Sequence, residues 1–192
     1  MNAIRMPALA LLATLCGCVA AANVPPPAPP PGGVARSVEQ NGRFIALVGE
    51  RRQHAAPFLG VPGTNFYLLR SWLDTRSGER VTQLYVEDSY IGAERDWQAA
   101  RDAQGRPLKF VPISKNEIGC EPACSYAEEF AAELPEPLLR ASPAGLTVAF
   151  TAKSGAAETI RVPGDLVQKQ LAAIDTVAAP RPAAAAVPPP PR

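Results

Sequence analysis

The sequence predicts a mainly β fold: an antiparallel β-sandwich or partly closed barrel with a C-terminal amphipathic helix. Three observations predict it. Glycine-containing breaks recur at strand-length intervals. The runs between them are rich in aromatic and β-branched residues, the pattern of successive hairpins. One segment late in the chain changes to helical periodicity.

The elements follow in order. Arg43–Gly49 reads as a first strand. Asp74-Thr75-Arg76-Ser77-Gly78 separates NFYLLRSWL from ERVTQLYVED. Asp102-Ala103-Gln104-Gly105 separates ERDWQAAR from RPLKFVPI, and Lys153-Ser154-Gly155 separates LTVAFTA from AETIRV. With Cys124–Ala132 added, this makes about eight short strands, the spacing of a sandwich or barrel. Pro135 to Arg140 forms a short helical turn. In Asp165–Ile174, apolar residues at 166, 167, 171 and 174 make one helical stripe. Asp165 and Gln168 have the spacing of a capping box. The stripe is short and its polar face holds one Lys, which suits packing on the sheet rather than lying on a membrane.

Proline marks the limits of the folded part. Of 22 prolines in 192 residues, six lie in Pro25–Pro31 and six in Pro180–Pro191, while only nine fall within Ser37–Asp175. Residues 37–175 are therefore read as one domain with a sizeable core. VPPPAPPP is a polyproline II spacer, since each ring locks φ. Residues 18–36 comprise Cys18 and a Pro-rich tether, of which 19–36 reach on the order of 55 Å when extended. Residues 176–192, ending APRPAAAAVPPPPR, read as a disordered Ala/Pro-rich tail that could dock an envelope partner.

Charge and motifs exclude more than they assert. Nineteen Lys and Arg stand against 18 Asp and Glu, so nothing calls for a nucleic-acid partner. The single histidine, His54 in ERRQHAAPF, reads as a surface-loop residue. No G-x-S-x-G, H-E-x-x-H, P-loop or Rossmann fingerprint is present, so no catalytic residue, cofactor or metal site is expected.

Two charges interrupt apolar faces. Period-two alternation puts Glu128 between Tyr126 and Phe130, and Arg70 between Leu68 and Trp72. A lone buried charge is costly, so each requires a partner, and pairing Arg70 with Glu128 is one economical solution. Glu94, Arg95, Asp96 and Arg101 around Trp97 read as an exposed face of mixed charge. From Asn116 to Leu139 there are six acids and no Lys or Arg, which reads as a solvated acidic edge.

Cys120 and Cys124 are isolated in the chain and close together. In an exported protein such a pair oxidises. An extended C-x₃-C segment spans about 13 Å, too far for a disulfide, so residues 119–124 are expected to turn.

The N-terminus suggests export. Arg5 and the amino terminus precede an apolar run, Ala8–Leu15, and then a small-residue region, the layout of a secretory signal. Leu15-Cys16-Gly17-Cys18 resembles the lipobox of bacterial lipoproteins. That resemblance implies a signal peptide of residues 1–17, diacylglycerol (palmitate-type chains) on the Cys18 thiol, and Cys18 as the first mature residue. Val19 stands where an aspartate would favour inner-membrane retention, which points to the outer membrane, facing the periplasm. Ala20-Ala21-Ala22 offers an alternative cleavage site and a soluble product. The whole also resembles small proteobacterial lipoproteins with no assigned activity. The resulting expectation is a non-catalytic envelope lipoprotein, with the lipid membrane and an envelope protein as its partners. The alternatives are a soluble periplasmic solute-binding module and, less favoured, a hydrolase using carboxylates such as Glu128 or Glu129.

Overall fold

A computed structural model describes residues 33–177 of the chain. Cys18, the signal segment, most of the tether and nearly all of the tail lie outside the described residues. Eleven strands form two antiparallel sheets, facing each other as a sandwich that does not close into a barrel. The strands are β1 (Ala35–Glu39), β2 (Phe44–Val48), β3 (Arg52–Gln53), β4 (Phe66–Asp74), β5 (Arg80–Ile91), β6 (Trp97–Asp102), β7 (Pro107–Leu108), β8 (Phe110–Cys120), β9 (Cys124–Glu133), β10 (Gly145–Ala152) and β11 (Ala157–Pro163). The first sheet runs β1-β2-β4-β5-β9-β8, with β3 also pairing β4; the second runs β11-β10-β6-β7. Two helices, α1 (Glu136–Arg140) and α2 (Gly164–Thr176), complete the fold.

Each hairpin expected from a Gly-containing break is present. At the β4–β5 turn, Asp74 Oδ1 accepts the backbone N–H groups of Arg76 (2.8 Å) and Ser77 (3.2 Å). At the β6–β7 turn, Asp102 Oδ1 accepts those of Gln104 and Arg106, both at 2.9 Å. Carboxylates placed in this way supply the acceptors that a tight turn leaves unmet.

Three boundaries differ from the sequence reading. β1 begins at Ala35, inside the segment read as tether, because Ala35–Glu39 pairs with β2. The run RPLKFVPI is not one strand. It breaks at Lys109, where the chain passes from the second sheet into the first. α2 has no capping box: its N-cap is Pro163, with no side-chain cap bond. Gln168 Nε2 instead donates to Pro143 O (2.9 Å), and Asp165 pairs with Lys169 (3.3 Å). Gly164 opens this helix against the preceding loop, where an added Cβ would lie 2.4 Å from Pro143 O.

The core is the interface between the sheets. Leu69, Leu84, Val86 and Phe130 of the first sheet meet Trp97, Val148, Phe150 and Ile160 of the second. Phe130 packs edge-on against Phe150 at 4.9 Å and tilted against Trp97 at 5.1 Å. α2 seals one end, adding Leu166 and Val167 to this core and packing Ile174 against Leu47 and Leu73. Gln170, on the same helix face, is 1% exposed and donates to Ser71 Oγ (2.8 Å), which also bonds Thr82 Oγ1 (2.9 Å). Among the described residues, no helix is long and apolar enough to cross a membrane.

The β4–β5 turn has a pH signature. Backbone N–H donation from Arg76 and Ser77, with the Arg43 guanidinium, holds the Asp74 carboxyl below its ordinary range. Its stabilising contribution is therefore complete above the unfolded-state value and fades as pH falls towards the folded one. Asp74→Asn keeps the acceptor but cannot ionise. Urea midpoints of that variant should fall less steeply than those of the parent as pH drops below about 4. Parallel curves would show that Asp74 is not coupled to folding.

Candidate functional site

The densest polar cluster lies on the inner face of the first sheet, where β5 and β9 are paired. Asp88 stands directly opposite Glu128, and both are 4% exposed. Two carboxylates opposed in this way repel each other and require donors. The loop after β5 supplies them. Arg95 Nη1 donates to Asp88 Oδ1 (2.9 Å) and Oδ2 (2.7 Å), and Trp97 Nε1 donates to Oδ2 (2.9 Å). Glu128 Oε1 accepts a bond from the Tyr90 hydroxyl and one from Asp96 N (3.1 Å), while Oε2 accepts Trp97 N (3.2 Å). Arg95 N donates to the Tyr90 oxygen (2.8 Å), and its guanidinium lies 4.1 Å from the centre of the Tyr90 ring. Burial, together with the bond to Glu128, pushes the Tyr90 hydroxyl pKa well above its usual value. Both carboxylates are thus committed to protein donors. They hold residues 92–96, where the chain leaves the first sheet for the second.

A depression of about 420 Å³ opens beside this cluster, lined by Trp97, Phe110, Lys115, Glu128 and Phe130 among others. Lys115 at its rim pairs with Glu94 and with Asp96 (3.4 Å). The Glu94 bond, then the Asp96 bond, outweigh the effect of desolvation and raise the Lys115 pKa. The depression therefore offers apolar contact and three acidic residues, of which Glu128 and Asp96 are already engaged and Glu129 is the third.

Arg70 and Glu128 do not pair. The register places Arg70 opposite Gln83 on the outer face of the first sheet, whereas Glu128 is on the inner face. Arg70 is half-buried. Its Nε and Nη2 donate to Gln83 Oε1 (3.2 and 3.0 Å), and its guanidinium lies over Trp72 (4.8 Å) and Tyr85 (4.5 Å). Burial lowers its pKa. Tyr85 packs 5.8 Å from Phe66, whose other neighbour is Arg51 at 4.5 Å. On the outer face, Arg70 of β4 and Arg51, which precedes β3, thus lie against the aromatic rings of β4 and β5.

Two further readings are corrected. His54 is not a surface residue: its side chain is 3% exposed, and Nε2 donates to Glu87 O (2.8 Å). Glu87, itself 7% exposed, accepts bonds from Asn65 N and Ser89 Oγ, and this cluster ties the 54–65 loop to β5. Of the residues read as an exposed mixed-charge face, Glu94 and Arg101 are exposed, but Trp97 is buried and Arg95 is half-buried against Asp88. The acidic stretch 116–139 is not one solvated edge either. Glu117 and Glu121 are exposed, Glu128 is buried, and Glu133 pairs with Lys109 (2.9 Å).

At the far end of the first sheet, Cys120 and Cys124 are joined across the β8–β9 turn, with Cα atoms 3.7 Å apart. β8 is an edge strand blunted by Pro112 and by two bulges, whose extra residues are Ile113 and Ile118. Ile113 is 39% exposed; Ile118 and Ile91, near the hairpin tip, are each 55% exposed.

Asp88 and Tyr90 were not singled out in the sequence, and Arg95 was read only as part of an exposed charged face. Asp88 had a signal: Leu84, Val86, Asp88 and Tyr90 alternate on one face, so Asp88 interrupts it as Glu128 does on β9. Arg95 had none, because it lies in a loop without periodicity. No protein family, curated protein or solved structure matches the chain.

The two faces can be separated by mutation. Glu128→Ala leaves the Tyr90 hydroxyl and two backbone N–H groups buried without their acceptor, and should cost about 3–5 kcal/mol. Arg70→Met should cost about 1 kcal/mol, the scale of a partly exposed cation–π contact. β4 and β9 lie two strands apart, about 10 Å, so the double variant should be additive within about 0.5 kcal/mol. A coupling above about 1 kcal/mol in urea unfolding would contradict the opposed faces.

Proposed function

We propose that the chain is a non-catalytic lipoprotein of the bacterial cell envelope, anchored through Cys18 and facing the periplasm from the outer membrane. Its folded domain docks another envelope component. The observation that carries this reading is Leu15-Cys16-Gly17-Cys18, placed after an apolar run and followed by VPPPAPPP. A lipidated cysteine needs a spacer if the domain is to stand clear of the lipid surface, and consecutive prolines provide a stiff one. Two acyl chains meet the requirement for stable anchoring.

Features of the folded domain support the reading. A disulfide between Cys120 and Cys124 suits an oxidising compartment. The buried carboxylates Asp88 and Glu128 are occupied by protein donors, which favours a structural role over hydrolysis. Ile113 and Ile118 offer apolar contact along the β8 edge, in keeping with a docking surface.

Mass spectrometry of the mature N-terminus should find an acylated Cys18, and Cys18→Ala should move the protein from the membrane fraction to the soluble fraction. A mature chain beginning at Asn23 without acylation would favour the soluble periplasmic alternative and overturn the anchoring. Replacing Cys120 and Cys124 by Ala should leave the domain folded, since a loop of this size contributes only about 2 kcal/mol by the chain-entropy model. Loss of the folded state on thermal melting of that variant would show a larger structural role for the disulfide.

A further inference from the structure

We propose that the tip of the β8–β9 hairpin is a redox-gated site for a thiophilic divalent cation of the zinc type. Its ligands are the Cys120 and Cys124 thiolates and the Glu117 carboxylate.

A bulge brings the three together. Two residues three apart on a regular strand point to opposite faces. Glu117 and Cys120 would therefore diverge, but Ile118 is the extra residue of a bulge between Glu117 and Gly119. With it discounted, Glu117 faces Tyr126 and Cys120 faces Cys124, so both fall on the same side of the hairpin. The carboxylate oxygen and the two sulfurs all lie within 4.8 Å of one another, with Glu117 and Cys120 exposed and Cys124 half-buried. Tetrahedral zinc, with Zn–S near 2.3 Å and Zn–O near 2.0–2.2 Å, places its ligand atoms about 3.5–3.8 Å apart. On reduction the two sulfurs must part from their bonded distance to that spacing, and the carboxylate oxygen need approach them by no more than about an ångström, at an exposed hairpin end. Water completes the fourth position.

The local charge favours a cation. From Asn116 to Leu139 there is no Lys or Arg. No ammonium or guanidinium from this stretch competes for the carboxylate, and Glu121 adds negative charge beside the site. Thiolate ligands then select zinc-type ions over magnesium or calcium.

The disulfide is the gate. While Cys120 and Cys124 are bonded, neither sulfur carries a charge, and only the carboxylate remains to hold a cation. A dithiol reductant opens the site. It donates two electrons and two protons to the S–S bond, yielding two protein thiols and its own disulfide. Binding of M²⁺ then displaces those two protons and leaves a bis-thiolate complex, so affinity rises with pH. The site does not depend on how the chain is anchored.

The test uses the full chain carrying Cys16→Ser and Cys18→Ser, so that Cys120 and Cys124 are its only thiols. The protein is reduced with dithiothreitol, desalted anaerobically and titrated with Co²⁺ as a spectroscopic probe, then with Zn²⁺. The expected result is one Co²⁺ per chain, with a sulfur-to-cobalt charge-transfer band and the visible absorption of tetrahedral cobalt, both lost on adding Zn²⁺. Glu117→Gln should weaken binding roughly tenfold or more, Glu121→Gln should leave it within about twofold, and the disulfide form should give no charge-transfer band. Circular dichroism checks that each variant is folded; all the substitutions lie at the hairpin tip or outside the domain. Absence of the band in the reduced chain overturns the site. Unchanged affinity in Glu117→Gln overturns the three-ligand assignment, and equal binding by the oxidised chain overturns the gate.

Discussion

The fold depends on how one loop is held as the chain leaves the first sheet for the second. β5 ends inside the sandwich with Asp88 and Tyr90, and β6 begins six residues after Ile91, at Trp97. Between them the backbone turns away from one ladder before it joins another, so after Gly92, whose N–H still reaches Cys124 O (2.9 Å), strand partners for its N–H groups run out. Glu128 on the neighbouring strand accepts two of them, from Asp96 and Trp97. Asp88 holds the same loop through Arg95 and the Trp97 indole. The Trp97 ring is thereby set against Phe130, which packs in turn on Phe150 at the aromatic centre of the core. A buried carboxylate pair is an expensive device. Here its expense is offset by a full set of donors, and it fixes the relation of the two sheets where the chain crosses between them.

The two faces of the first sheet use charge differently. On the inner face every charged group lies in a hydrogen-bonded network with defined partners. On the outer face Arg70 and Arg51 lie over aromatic rings and cover apolar surface with their side chains. The first arrangement specifies geometry, whereas the second shields Phe66, Leu68 and Tyr85 on a sheet face that neither helix covers.

The edges complete the picture. A long exposed edge strand invites pairing with another chain. β8 carries Pro112 and two bulges, which interrupt its ladder and turn isoleucines outward. The same irregularity that protects the edge aligns Glu117 with the cysteines at its tip. The inserted Ile118 thus contributes both to the protection of the edge and to the assembly of the three ligands.

Much of this was legible in the sequence, for a physical reason. Hairpin turns are local: Asp74 to Gly78 and Lys153 to Gly155 carry their own acceptors or glycines, and the strands they join are in order. Alternation is local too, so it assigned Glu128 to a buried face and made Arg70 an anomaly. The C-x₃-C spacing likewise required a turn between Cys120 and Cys124. What the sequence could not supply was the identity of partners across space. Period two tells which side of a strand a residue occupies, but not which sheet or loop covers that side. Arg70 and Glu128 both interrupt apolar faces, yet those faces are the two sides of one sheet. His54 and Gln170 sit in a loop and on a helix without signals of their own and became buried only when distant segments closed over them, as Arg95 became half-buried. Bulges belong to the same class: an extra residue on β8 is defined by the strand opposite, so the face of Glu117 was decided by β9. Local chemistry set the elements, and only the packing of one segment on another decided which side chains meet.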